Sequence, residues 1–244
     1  MAINVNTVYQ TVLMILNKEQ RGYMTPTEFN TVATQVQLEI FEKYFDDLNQ
    51  QLRVPQADTD YADRQENIDE KIAIFKTFGP ATYVTLSGLS YFTLPTEDSY
   101  LEFVDFYRLG NVIYNNEKIV QRLDRHDFYY VNQSRLTKPT KINPVYLYEN
   151  QKLFVKPETI TKDIQVDYVR KPKDIIWDFT VGNLGQYVFN SLPTSITQNF
   201  ELHESEQSEV ILKILLYAGI VIRDPQIVQA AAAQVQADEA NKKS

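Results

Sequence analysis

Cysteine is absent from this 244-residue chain, and histidine occurs only as His126 and His203. Without cysteine there is no disulfide framework and no thiolate metal site. Two histidines leave little material for a catalytic base, and no G-x-S-x-G elbow accompanies them. The seven glycines are scattered and never form G-x-x-x-x-G-K, so a phosphate-cradling loop is missing. The amino end, MAINVNTVYQ, lacks a basic stretch followed by an apolar one, so a signal peptide is not expected. Basic charge is short as well: 24 Lys and Arg against 32 Asp and Glu leave a net charge of −8. A tight nucleic-acid binder ordinarily carries the opposite sign. An acidic surface suits DNA that must slide past without adhering, and it points to proteins as partners.

What the chain does have is a long apolar helix. From Glu204 to Val221, in HESEQSEVILKILLYAGIVIRDP, the only charge between Val210 and Ile222 is Lys213. Apolar side chains cover nearly the whole circumference rather than a stripe about 100° wide. A membrane span needs about 20 such residues, so this run is too short. The expectation is a helix enclosed by other elements or by other copies of the chain.

Around it, the spacing predicts a first helix from Asn6, as N-cap, to about Gln20. Val8, Val12 and Ile15 form its stripe, widened by Tyr9, Leu13 and Leu16. Thr25-Pro26-Thr27-Glu28 is a capping box with proline at N1, opening a helix over 26–52. Phe29, Val32, Val36, Ile40, Tyr44 and Leu48 recur there at helical spacing. A polar loop over 53–65 precedes a short helix capped by Asp63 and Glu66, with Ile68, Ile72 and Phe75 inside. Gly79-Pro80 closes the helical region.

From Ala81 the period becomes two. Strands are expected around Ser87-Gly88, around the turn at Asn115-Asn116, and as a three-strand meander over 146–148, 152–155 and 164–169. A brief helix falls between Asp124 and Gln133. Eleven of the 16 tyrosines lie between Tyr83 and Tyr187, as suits pleated surfaces. Pro172, Gly182 and Gly185 suggest a loop region ending near Asn199. After Asp224-Pro225, an Ala- and Gln-rich helix closes the chain. The fold class expected is therefore α+β. Segments 1–80 and 200–244 would build a helical bundle, and 81–199 a β-rich antiparallel domain inserted between them.

Chemical readings compete with plainer ones. His203-Glu204-Ser205-Glu206-Gln207 is one substitution from H-E-x-x-H, but Gln207 is a poor zinc ligand. An exposed acidic first turn that complements the helix dipole explains it better. The adjacent carboxylates Asp46 and Asp47 point apart on a helix. Lys138, Lys141, Lys152, Lys156, Arg170, Lys171 and Lys173, near Tyr146, Tyr148, Phe154 and Tyr168, have the ingredients of a single-strand stacking platform. The plainer alternative is a sheet whose basic rim meets an acidic neighbouring subunit.

Two stretches carry a resemblance. Asn17-Lys18-Glu19-Gln20-Arg21-Gly22-Tyr23-Met24-Thr25-Pro26, followed by Glu28-Phe29-Asn30, resembles the amino end of virion structural proteins of tailed bacteriophages. Phe200-Glu201-Leu202-His203-Glu204, continuing to Ile222-Arg223-Asp224-Pro225, is similar to the closing helices of head–tail adaptor proteins. Val169-Arg170-Lys171-Pro172 with Trp177 fits the same plan. The layout resembles the adaptor and neck ring proteins of short-tailed and crAss-like phages, with tail tubular protein A as a relative of that layout. The resemblance implies a virion protein of the neck or tail, non-enzymatic and without cofactor or metal. It also implies a homo-oligomeric ring, commonly of about twelve subunits closed by rotation. Such a ring stacks on the portal and adjacent tail proteins around DNA that it does not bind specifically, away from any membrane. Ile211, Ile214, Leu215, Ala218, Ile222, Ile227, Val228 and Val235 are the residues expected to pack subunits. The competing expectations are a tail accessory or receptor-binding module, a single-strand nucleic-acid binder, and, third, a virion-borne cell-wall hydrolase.

Overall fold

A computed structural model describes residues 2–18, 23–51, 64–86, 88–95, 106–183, 185–221, 229, 232–234 and 236–237. The fold is mixed α and β, with mainly antiparallel sheets. The chain divides into two compact units, one from 1–74 with 172–244, the other 75–171.

In the first unit, α1 (Val5–Lys18) buries Val5, Val8, Tyr9, Val12 and Leu16. Its cap is Asn4 rather than the expected Asn6. The Asn4 Oδ1 accepts from the backbone N–H of Asn6 at 2.9 Å and of Thr7 at 3.1 Å. Asn6 is taken instead by Trp177, whose Nε1 donates to its Oδ1 at 3.0 Å. Helix α2 (Pro26–Gln51) starts as predicted, with Thr25 N donating to Glu28 Oε2 at 2.9 Å and Glu28 N to Thr25 Oγ1 at 3.3 Å. Its buried row runs Phe29, Ala33, Val36, Ile40, Tyr44, with Gln37, Phe41 and Phe45 beside it.

Helix α3 (Arg64–Ala73) is shorter than its periodicity suggests. Phe75 is buried but lies beyond the helix end, and the helical region stops before Gly79-Pro80 because a strand begins at Lys76. A single 3-10 turn (Glu204–Glu206) leads into α5 (Gln207–Val221). Helix α5 packs against α1 and α2. Val210, Ile214, Leu215 and Ala218 are buried, and Ile211, Leu212 and Leu216 are half-buried. Of the two kinds of cover the sequence allows, other elements of the same chain supply a large part, because α1 and α2 both present wide apolar faces. Ile222, Ile227, Val228 and Val235 lie outside the described residues, as do Asp63 and 53–63 of the predicted 53–65 loop, whose last two residues instead open α3. Residues 229, 232–234 and 236–237 are helical, in keeping with the Ala-rich pattern.

The stretch 172–199 is more ordered than a loop. Its strands β10 (Phe179–Val181) and β11 (Tyr187–Phe189) pair as a hairpin, with Gly185 at φ +78° in the connection. Ile3 also bridges to Phe200, and both are buried.

The second unit holds two sheets. One has the order β1 (Lys76–Pro80), β9 (Ile164–Arg170), β4 (Phe106–Tyr114), β5 (Lys118–Ile119). The other runs β2 (Thr82–Leu86), β3 (Leu89–Thr93), β8 (Lys152–Lys156), β7 (Val145–Glu149), β6 (Gln121–Arg122), with β6 and β7 parallel. The expected three-strand meander is therefore split: β7 pairs with β8, but β9 crosses to the other sheet between β1 and β4. Phe92, Leu153 and Val155 from one sheet and Val112, Val166 and Tyr168 from the other share one core. On the opposite face of β7, Val145 and Leu147 pack with Phe128 of α4 (Arg125–Gln133). Turns follow their residues: Asn115, Asn116 and Asn150 all take positive φ, as hairpin connections require. A bulge between Leu109 and Val112 contains Gly110, where a Cβ would lie 2.9 Å from the Asp167 carbonyl oxygen.

Candidate interaction surfaces

Inside the first unit, polar side chains of α2 bind backbone. Asn30, Thr34 and Gln37 are spaced i, i+4, i+7 along one helix face. Asn30 Oδ1 accepts from Trp177 N at 2.9 Å, and its Nδ2 donates to Trp177 O at 3.4 Å. Thr34 Oγ1 accepts from Ile175 N at 3.0 Å. Gln37, 1% exposed, donates to Lys173 O at 2.7 Å and accepts from Glu201 N at 2.9 Å. An extended segment is thereby stapled along a helix by side chains that substitute for a neighbouring strand. Trp177 ends up buried against Tyr9, with ring centroids 4.3 Å apart. Nothing in the hydrophobic spacing signals these staples. The visible hint is three amide or hydroxyl residues on an otherwise apolar face.

The turn expected to be exposed is so at Glu204 but not at Glu206. Glu206 is buried and pairs with Lys71 of α3; Glu209 is buried and pairs with Lys43 of α2 at 3.1 Å. Burial makes such pairs costly to break, because one partner removed leaves the other charge unmatched. Beside them the Tyr44 hydroxyl is buried with no hydrogen-bond partner among the described residues. Burial, with the nearby carboxylates of Glu206 and Glu209, pushes its ionisation far above the ordinary tyrosine range. Further along, Lys213 lies 3.5 Å from Glu39, and the Tyr217 hydroxyl donates to the same carboxylate. That bond, then burial, raises the Tyr217 pKa to about 12.

The two histidines do no comparable work. His203 is exposed and caps the 3-10 turn, accepting from Ser205 N at 3.2 Å. His126 is exposed on α4 beside Tyr130. Among the described residues no three His, Asp or Glu side chains are grouped to hold a metal ion. No described helix is long and apolar enough to cross a membrane. The stacking platform suggested by the sequence is not assembled from the rings proposed for it. Tyr146 and Tyr168 are buried in the shared core, Tyr148 packs against it, and Phe154 packs toward α4. Lys173 belongs to the other unit.

Apolar side chains reach solvent at several places, including Met14, Phe78, Leu86, Leu89 and Ile119 as well as the two groups that follow. In the first unit, Val181, Val188, Leu192 and Ile196 are exposed on the β10–β11 hairpin and the turn after it, and Tyr187 stacks on exposed Tyr23 at 6.3 Å. That turn is held by Asp178, whose Oδ2 accepts from Asn190 at 2.7 Å, Ser195 at 3.0 Å and Ile196 N at 3.3 Å. Desolvation works against the Asp178 charge, but these bonds outweigh it and lower its pKa. In the second unit, Tyr129 and Tyr130 of α4, Leu136 and Ile142 are exposed, Leu136 to 97%. Ordered surfaces of this kind mark contact sites more often than catalytic ones.

Charge divides unevenly between the units. Residues 75–171 carry 13 basic and 11 acidic side chains, a net of +2; the remainder carries 11 and 21, a net of −10. No family model matches this sequence, and no curated protein does.

Proposed function

We propose that the chain is a non-enzymatic structural protein of a tailed-phage particle, one copy of a ring in the head–tail connector or upper tail. The observation carrying this reading is that each unit displays an exposed apolar surface on ordered backbone, which gives the molecule more than one contact face. A ring subunit stacked between other rings needs several such faces, since it meets its neighbours and the layers above and below. In this reading the helices of 1–74 and 172–244 form the packed helical layer, with the β-rich 75–171 domain inserted between them. Ile211, Ile214, Leu215 and Ala218 then serve chiefly to hold that layer together within a subunit. The net −10 of the helical unit keeps passing DNA from adhering. The resemblance of 17–30 to virion structural proteins of tailed phages, and of 200–225 to head–tail adaptor proteins, supports the same assignment.

The test is particle composition and position. The protein should be found in purified particles by mass spectrometry and as a ring at the neck or upper tail in a side-view reconstruction. Its absence from particles, or its location in the capsid shell or a fibre, would overturn the reading.

A further inference from the structure

Between α4 and β7, residues 134–143 form a short ordered loop. Ser134 Oγ accepts from the N–H groups of Leu136 at 3.3 Å and Thr137 at 3.2 Å, and Thr140 Oγ1 accepts from Asn143 N at 3.3 Å. Pro139 is buried and anchors it, while Leu136 and Ile142 stand 97% and 71% exposed. Arg135, Lys138 and Lys141 are exposed among them, and 134–143 contains no acid. Tyr129 and Tyr130 continue the surface along α4. These hydrogen bonds tie the loop to itself, which lowers the ordering cost of presenting its aliphatic and cationic groups to a partner.

The matching chemistry is on this same chain. Helices α2 and α3 pack together and carry exposed carboxylates at i, i+4: Glu42 with Asp46, and Glu66 with Glu70. Like charges at that spacing are mutually unfavourable. The lysines of these helices do not offset them, since Lys43 and Lys71 turn inward to Glu209 and Glu206. Both helices therefore keep exposed carboxylates, and the loop in the other unit keeps exposed cations, of which Lys138 also feels the charge of Glu158.

Resting on the ring reading, we infer that the 134–143 loop, with Tyr129 and Tyr130 of α4, docks on the acidic α2–α3 surface of a second copy of this chain. The contact is heterologous, because a basic patch meets an acidic one rather than itself, and such contacts propagate around a ring. Aliphatic Leu136 and Ile142 favour a protein surface over a phosphate backbone. Charge complementarity fixes orientation and suppresses wrong pairings.

The experiment uses full-length chains carrying Lys138→Glu with Lys141→Glu, or Glu66→Lys with Glu70→Lys. Self-association is measured by mass photometry after brief cross-linking, at low and high salt. Wild type should associate at low ionic strength and lose association as salt screens the contact. Each variant alone should associate at least about tenfold more weakly, because like charges then face each other. The two variants mixed should recover oligomers, since each reversed patch meets its reversed complement in alternation. Recovery on mixing also shows that both variants are folded. Failure of wild type to associate at any salt, or unchanged association of the single variants, would overturn the inference. So would recovery failing on mixing, or binding of labelled single-stranded DNA or anionic vesicles that Lys138→Glu/Lys141→Glu abolishes without self-association. None of these outcomes touches the virion assignment, which rests on particle composition.

Discussion

The helical unit and the β-rich unit solve the same problem, satisfying the backbone in a dry interior, in different ways. In the β-rich unit the ladders do it: β9 lies between β1 and β4, and the aromatic and β-branched side chains are left to fill one core. In the helical unit an extended segment has no partner strand, so Asn30, Thr34 and Gln37 supply donors and acceptors from a helix. Its interior also contains paired charges, Lys71 with Glu206 and Lys43 with Glu209. The first solution depends on local turn chemistry and generic apolar patterning. The second depends on particular side chains meeting over long sequence distances, and should be the more sensitive to single polar substitutions.

Substitution should reveal that difference. Ile214→Ala and Leu153→Ala each empty a fully buried site, one per unit, and should cost about 2–5 kcal/mol, apolar loss being felt alike in both. Trp177, the only tryptophan, makes urea unfolding monitored by its fluorescence a report on the helical unit. Hydrogen exchange along β7 and β8 reports the other. Gln37→Leu strands the Lys173 carbonyl and the Glu201 N–H, at about 2–3 kcal/mol by the same fluorescence. An effect under half that size would mean the staples are incidental and the contrast between the units false. Asn150→Ala removes the short polar side chain that makes φ +49° tolerable, with a smaller loss of about 1 kcal/mol in the β-rich unit. Tyr44→Phe removes a hydroxyl with no partner and should leave stability unchanged or raise it by up to about 1 kcal/mol.

Alkaline titration adds the smallest effect. The Tyr217 pKa is raised to about 12 in the fold, above its unfolded value near 10, so the unfolded chain ionises first. The contribution is fully present below pH 10 and is lost as pH rises toward 12. Tyr217→Phe should make that fall less steep, the remainder coming from Tyr9 and Tyr44, which are raised as well.

Elements governed by neighbours in sequence were legible in advance. The capping box at Thr25, the asparagine turn at 115–116 and α4 all fall where spacing places them. What failed was long-range. Asn4 and Asn6 are equally good caps by type, and a tryptophan 171 positions from Asn6 decides between them. Strand β1 reads as the end of a helix because Ile72 and Phe75 keep helical spacing, while its partner β9 lies far downstream. Glycines 182 and 185 signal a break, yet the hydrogen bond from Gly182 N to Gln186 O closes a hairpin. The loop at 134–143 was visible only as lysines, since the exposure of Leu136 and Ile142 cannot be read from composition.

The contacts from α2 to 173–177 touch peptide groups, and peptide groups are the same whatever residue bears them. Random mutagenesis should therefore find Lys173 and Asp174 freely replaceable, proline excepted at Lys173, whose N–H donates to Glu201. Asn30 and Gln37 should tolerate almost nothing. A short stretch of chain is gripped by its spine, and its surface chemistry is left open to change.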